Sequence, residues 1–197
     1  EDIFAPGVYR LQFAGGTYQP LEGIGLPPRV SVFDFSQGDL DGDGKTETVY
    51  IGHEERLYLV DDDGTPLWNS REYYGATNNI LQGKEPVTSG RGATLGVERQ
   101  TFYIPSPILL VDLNNDKQLE ILVNRNKSLS SRVLSRIRNF SDGEIRSFFW
   151  AEPELMPQWK TRPLRGMVVS YRLADVDSDG KEELVAAAVL EKQTFKK

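Results

Sequence analysis

Short apolar runs, rich in β-branched and aromatic residues, alternate with turn-forming residues along most of the chain. Three pairs of these runs flank an acidic loop. The runs before the loops are 30–35, 108–111 and 168–173, and the runs after them are 48–51, 121–123 and 184–189. Runs of this length and composition, bounded by turn formers, are typical of β-strands. Each acidic loop is therefore predicted to join two antiparallel strands.

A second hairpin follows in each of the first two repeats. In the first, residues 57–60 lead through an Asp-Gly turn at 61–64 into 65–68, and in the second, residues 133–140 lead through 141–143 into 144–150. An Asp-Gly turn between apolar segments is a strong hairpin indicator. We therefore predict four antiparallel strands per repeat, A to D, with Trp68 and Trp150 closing strand D and packing between repeats.

The remaining segments are predicted to be partial repeats and one insertion. Residues 8–13 and 17–21 fit strands C and D of a preceding repeat, and the last apolar run fits strand B of a further one. The insertion, at about 75–96, is rich in Gly, Asn, Thr and Ser. Such an excursion either binds a partner or is a tolerated surface loop. The predicted units are 1–28, 29–103 with the insertion, 104–165 and 166–197.

The acidic loops have the chemistry of a hard-cation site. In the first, acids occupy positions 1, 3, 5 and 9 of the nine residues 39–47, and Gly44 at position 6 permits the positive φ that turns the backbone. Ca²⁺ prefers about six to eight oxygen ligands. We predict that Asp39, Asp41, Asp43 and Glu47 bind through carboxylates and Lys45 through its carbonyl.

The same pattern recurs at 112–120 and 175–183. None of the three loops is an EF-hand, because an EF-hand needs an acid at position 12, where this chain has Tyr50, Val123 and Ala186. In the second loop Asn114 replaces an acid and Lys117 replaces the glycine. We expect this site to be the weakest of the three.

The repeated Asp-x-Asp-x-Asp-Gly-x-x-Glu loop followed by an apolar strand resembles the FG-GAP and VCBS repeats of bacterial surface proteins and of integrin α-subunits. The literal Phe-Gly and Gly-Ala-Pro signatures are absent, so the VCBS-like branch is the better match. The resemblance covers about residues 29–190 and implies an all-β fold of β-propeller blades, here an incomplete propeller or part of a larger one. It also implies Ca²⁺ ligands in every loop. The predicted ligands are Asp39, Asp41, Asp43, Lys45 and Glu47; Asp112, Asn114, Asp116, Gln118 and Glu120; and Asp175, Asp177, Asp179, Lys181 and Glu183.

Composition narrows the function. The net charge of −6 gives no reason to expect nucleic-acid binding, and no apolar run is long enough for insertion into a membrane. With no cysteine and with His53 as the single histidine, a zinc site is not expected. A locally basic stretch between Arg125 and Arg165 is predicted to be a solvated face, with a docking patch for an acidic partner as the alternative.

These patterns predict a calcium-binding propeller module that binds a protein or glycan, or acts as a scaffold, in an exported bacterial protein. Millimolar calcium outside the cytoplasm favours a periplasmic, surface or secreted location. The alternative function is the propeller domain of a carbohydrate-active enzyme such as a calcium-dependent polysaccharide lyase. Because the chain starts at Glu1 and its partial repeats leave open strand edges, we expect a processed or longer polypeptide, or a second copy at those edges.

Overall fold

A computed structural model describes residues 8–86, 99–128 and 138–190, and these residues form strands and connections without any helix. In chain order the strands are β1 (Tyr9–Ala14), β2 (Thr17–Gly23), β3 (Phe35–Gly38), β4 (Glu47–Ile51), β5 (Arg56–Val60), β6 (Pro66–Tyr73), β7 (Ile80–Pro86), β8 (Arg99–Tyr103), β9 (Leu109–Val111), β10 (Glu120–Ser128), β11 (Phe140–Ala151), β12 (Glu154–Lys160), β13 (Leu164–Arg165), β14 (Met167–Ala174) and β15 (Glu183–Val189). The predicted all-β class is confirmed.

All the strands pair antiparallel, in several small sheets. Sheet I has the order β3-β4-β5-β6, sheet II has the order β12-β11-β10-β9 with β13 also on β11, and sheet III consists of β14 and β15. Two further hairpins, β1-β2 and β7-β8, stand outside these three sheets. Within the described residues every sheet remains open, and no closed sheet or ring is formed.

Each acidic loop joins two antiparallel strands, as predicted. The loops connect β3 to β4, β9 to β10 and β14 to β15, and the glutamate at position 9 begins the second strand in each case. The first strand of sheet I starts later than predicted, at Phe35. The reason is local: the Ser31 N–H donates to the Asp34 carboxylate at 2.8 Å, and the Asp34 N–H donates to the Ser31 carbonyl at 3.0 Å, which holds this stretch in a turn.

The predicted Asp142-Gly143 turn in the second repeat is wrong. Both residues lie inside β11, where Gly143 pairs with Asn126 of β10, and the following turn is at 152–153. Gly143 is required for packing, because a methyl group there would overlap the side chains of Asn126 and Val168. Strands C and D of this repeat are therefore β11 and β12. Of the predicted strand 133–140, residues 133–137 lie outside the described part of the chain.

The core lies between sheets that pack face to face. One cluster joins sheets I and II and includes the buried side chains of Leu57 and Leu59 on one side and of Ile121 and Trp150 on the other. Trp68 packs against the same cluster, so both tryptophans pack between repeats as predicted. However, Trp150 lies near the end of β11 opposite Leu155, and neither tryptophan closes a strand D.

Sheets II and III are joined by a second cluster, whose buried members are Leu122, Ile145, Val168 and Tyr171. Buried amides reinforce this contact. The Asn126 side chain donates to the carbonyls of Ala76 at 2.7 Å and Val168 at 2.8 Å, and it accepts from the Val168 N–H at 2.9 Å. Because each of these groups is buried, the amide satisfies polar atoms that water cannot reach.

An ion-pair network also links sheets I and II. Glu72 of β6 contacts Arg146 of β11 at 2.5 Å and Arg125 of β10 at 3.0 Å, while Glu144 contacts Arg146 at 2.6 Å. Burial alone would raise the pKa of Glu144, but Arg146 with the other nearby cations lowers it below its ordinary value. Much of the predicted basic face is thus paired, because Lys127, Arg138 and Lys160 also contact acids.

The insertion contains more structure than its composition indicated. Its residues 80–86 form β7, which pairs with β8, while residues 87–98 lie outside the described part.

The first hairpin matches the prediction, since β1 and β2 pair around Gly15 and Gly16, both at positive φ. All residues of β1 and β2 are exposed.

Candidate functional site

The three acidic loops share one backbone conformation. Positions 4 and 6 have positive φ in each loop, and the residues are Gly42 and Gly44, Asn115 and Lys117, and Ser178 and Gly180. Sequence reasoning identified position 6 but missed position 4. The residues at position 4, which are Gly, Asn and Ser, could have indicated the positive φ there, since Gly and Asn tolerate the left-handed region. Lys117 adopts φ 71° without this tolerance.

The loop carboxylates are oriented by the same backbone hydrogen bonds in each repeat. In the first loop Asp39 accepts from the Gly44 N–H at 3.0 Å, Asp43 accepts from the Lys45 N–H at 2.7 Å, and Glu47 accepts from the Leu40 N–H at 2.7 Å. The corresponding bonds in the second loop measure 2.9, 2.8 and 2.7 Å. In the third loop they measure 3.0, 2.8 and 2.9 Å. Three separate sequences therefore hold the acids at positions 1, 5 and 9 by the same three backbone hydrogen bonds.

Two loops bring three carboxylates together. Carboxylate oxygens of Asp39, Asp41 and Asp43 lie within 4.8 Å of one another, and so do those of Asp175, Asp177 and Glu183. Asp179 also belongs to the third loop and accepts from the Lys181 N–H. Like charges at such spacing repel in water, and a divalent cation between them would remove that cost.

The second loop differs where its sequence departs from the pattern. Among the described residues it provides no such set of three acids. Instead, the Asn114 amide donates to the second oxygen of Asp116 at 2.9 Å, while Asp112 and Glu120 keep their equivalent bonds. An amide N–H in the place of a cation makes this loop less dependent on a metal. That this site is the weakest of the three stays a prediction.

The glutamates at position 9 link the loops to the core. Glu47 and Glu120 are only 3% and 2% exposed, and within the described residues neither forms an ion pair with a basic side chain. Burial raises the pKa of Glu47 above its ordinary value. A buried carboxylate without a cationic partner is costly, so these residues fit a bound cation.

Position 7 was predicted to bind through its carbonyl. Here the structure shows the N–H groups of Lys45, Gln118 and Lys181 donating to the acid at position 5, and carbonyl ligation stays a prediction. The Lys45 ammonium lies 3.6 Å from Asp62 in the β5–β6 turn. This contact and the nearby Asp43 raise the pKa of Lys45.

The predicted hairpin turn at 61–64 is confirmed, with Gly64 at positive φ.

A cleft of about 190 Å³ lies at the opposite end of β4 from its acidic loop. Its walls come from the β4–β5 turn, the segment after β6, the end of β8, and the side chains of Arg29, Asp34 and Arg138. Sequence reasoning did not predict it, because these segments are distant in the chain and share no motif. The single histidine, His53, lines this cleft, and its ring contacts Glu54 at 2.8 Å.

Arg138 has three partners in the cleft wall. Its guanidinium contacts Glu55 at 2.5 Å, donates to the Thr77 carbonyl at 2.8 Å, and lies 3.5 Å from the centre of the Tyr103 ring. Asp34 is 6% exposed. Burial raises the pKa of this carboxyl, although its hydrogen bonds from Ser31 act in the opposite direction.

Comparison with known proteins gives no relative for this chain: no family model matches the sequence, and no match is found among curated proteins. No helix in the described part of the chain has the length and apolar character needed to cross a membrane.

Proposed function

We propose that this chain is a calcium-binding segment of a β-propeller of the FG-GAP or VCBS type, and that it serves as a binding or scaffold module in an exported protein. The observation that carries this proposal is the shared geometry of the three acidic loops, each with acids at positions 1, 5 and 9 oriented by the same backbone donors. An ordinary turn does not need this repeated set of acids and donors, because many different sequences can form a turn.

Several features of the fold support the propeller interpretation. Sheet I contains four antiparallel strands in sequential order, sheet II contains the same arrangement, and the sheets stack through apolar faces. Sheet III would be the start of a further blade, and β1-β2 the end of a preceding one. The coordination chemistry supports calcium, because carboxylates and backbone carbonyls are hard oxygen ligands.

The proposed extracytoplasmic location is supported by the affinity expected of exposed loops. If Kd is about 10⁻⁴ M, millimolar calcium stabilises the fold by roughly 1.4 kcal/mol per site. Resting cytosolic calcium would leave sites of this affinity empty. Calcium binding would therefore couple folding to export.

The open edges support a partner that provides further strands. The β15 strand has one described neighbour, β14, and Val189 and Leu190 beside its end are 51% and 58% exposed. Exposed apolar edges favour pairing with another strand. The proposed source is the rest of a longer chain or a second copy, and light scattering distinguishes a monomer from an assembly.

Calorimetric titration with calcium tests the central proposal. We expect two or three ions per chain, and we expect chelation to lower the melting temperature. Asp41→Asn and Asp177→Asn should each remove one site, whereas Asp62→Asn, an equal charge change in the β5–β6 turn, should remove none. Zero stoichiometry together with no thermal response to chelator would refute the proposal.

One observation favours an enzyme as the second candidate. The cleft is lined by Asp34, a carboxyl with a raised pKa, and also by Glu55 and Arg138, and such groups can act in acid–base catalysis. The test is turnover of polysaccharides of defined composition, compared between the wild type and Asp34→Asn.

A further inference from the structure

The cleft at the end of β4 has the features of a built ligand site. Its wall is close-packed, because a methyl group on Gly75 would overlap the side chain of Ile51 and one on Gly52 would approach Tyr58 within 2.7 Å. Its polar groups are held by the fold through the contacts of Arg138 and Asp34 described above. A rigid concavity with a few fixed polar groups is the usual form of a small-molecule site.

The charges of the lining disfavour strongly ionic ligands. Two arginines, Arg29 and Arg138, are balanced by two acids, Asp34 and Glu55. Arg138 is paired with Glu55, and the lining has as many acids as arginines, so it has no excess of positive charge to hold a phosphate. A metal ion is equally disfavoured, because no cluster of three ligating side chains is found here among the described residues.

The lining instead suits a molecule that carries many hydroxyl groups. Carboxyl oxygens of Asp34 and Glu55 can accept hydrogen bonds, while guanidinium groups donate them, and a sugar hydroxyl can do both. Tyr103 lines the cleft and is 38% exposed; Arg138 covers one face of its ring, and the exposed part of the ring is an aromatic surface on which the C–H groups of a sugar can pack. The volume of about 190 Å³ is below the roughly 300 Å³ that drug-sized ligands need, which matches a single ring.

We propose that this cleft binds one neutral sugar residue, as a free monosaccharide or as the end of a glycan. The proposal deepens the binding role given above and rests on it for biological meaning. It assigns to Tyr103 the contact with the sugar ring and to Asp34 the contact with its hydroxyl groups. The β7–β8 hairpin, whose first strand belongs to the insertion, then acts as part of the binding site, since β8 contributes Tyr103.

Titration of the chain in millimolar calcium with glucose, galactose, mannose and N-acetylglucosamine tests the proposal, with glucuronic and galacturonic acids as charged counterparts. We expect at least one neutral sugar to bind, and its acidic counterpart to bind about tenfold or more weakly. If none of the neutral sugars binds, or if the acids bind more tightly, the proposal is overturned.

Variants locate the site. Tyr103→Ala should weaken binding of the neutral sugar by about tenfold or more, because it removes the exposed ring. Tyr73→Ala is the matched control, since Tyr73 is 36% exposed and also lies beside an arginine, Arg56, but does not line the cleft. Asp34→Asn provides a second variant that keeps the side-chain shape.

Calcium titration and the melting temperature of the same samples separate the two proposals. If calcium binds normally and Tyr103→Ala leaves sugar binding unchanged, the cleft proposal is overturned while the calcium module stands. If sugar binding depends on Tyr103 but calcium does not bind, the cleft proposal stands and the calcium module is refuted.

Discussion

Replacing Asn126 with alanine should destabilise the fold strongly. The Asn126 amide is 5% exposed and makes three hydrogen bonds that join β10 to the segment after β6 and to β14. After the change, the Val168 N–H and the Ala76 carbonyl lose this buried partner. The Val168 carbonyl keeps bonds from Ser106 and Asn124, both at 3.2 Å.

The magnitude follows from the two groups left unsatisfied. Each unpaired buried polar group costs about 1–3 kcal/mol, so Asn126→Ala should lower the free energy of unfolding by about 2–6 kcal/mol. This is a large part of the roughly 5–15 kcal/mol typical of a domain. Gly143→Ala should act through the same contact, since the added methyl group would displace the Asn126 side chain.

Urea unfolding followed by tryptophan fluorescence, in saturating calcium, measures the effect. Asn69→Ala is the control, because Asn69 is an exposed strand residue in β6 without a side-chain hydrogen bond among the described residues, and it should change stability by less than about 0.5 kcal/mol. The Asn126 and Gly143 effects should be less than additive. If Asn126→Ala is no more destabilising than the control, the assigned role of this amide is wrong.

The other predictions concern the loops and the ion-pair network. Asp179→Ala should reduce calcium binding more than Asp116→Ala, because Asn114 already donates a hydrogen bond to one oxygen of Asp116. Calorimetric titration measures both effects, and a larger loss for Asp116→Ala would show that the loops are ranked wrongly. Lys117→Gly should raise the free energy of unfolding by about 1 kcal/mol, since glycine adopts φ 71° without strain, whereas Gln118→Gly should not stabilise the fold. Glu144→Gln should destabilise the fold at neutral pH. The pKa of Glu144 is lowered in the folded state, so its contribution is present above the ordinary value of 4.5 and is lost as the pH falls through the folded pKa. Unfolding measured against pH should therefore show the variant and the wild type converging in acid, whereas Glu154→Gln, at an exposed position, should follow the wild type at every pH.

The loops were predictable because their structure is local. Hydrogen bonds from N–H groups two to seven residues away orient each acid, so a nine-residue pattern contains nearly all the required information. The departures were visible too, since Asn114 and Lys117 stand where the pattern has an acid and a glycine. Only the positive φ at position 4 was missed, and in two loops it is adopted by Asn115 and Ser178.

The sequence alone determined the all-β class and the strands around each acidic loop, because alternation and turn chemistry act over a few residues. Tertiary structure decided what Asp142-Gly143 does: the pair that looked like a turn lies inside β11, where glycine makes room for Asn126 and Val168. It also decided that Arg138 meets Glu55 and Tyr103, and that segments far apart in the chain enclose a cleft. These contacts depend on how sheets pack, and packing between distant residues leaves no periodic pattern in the sequence.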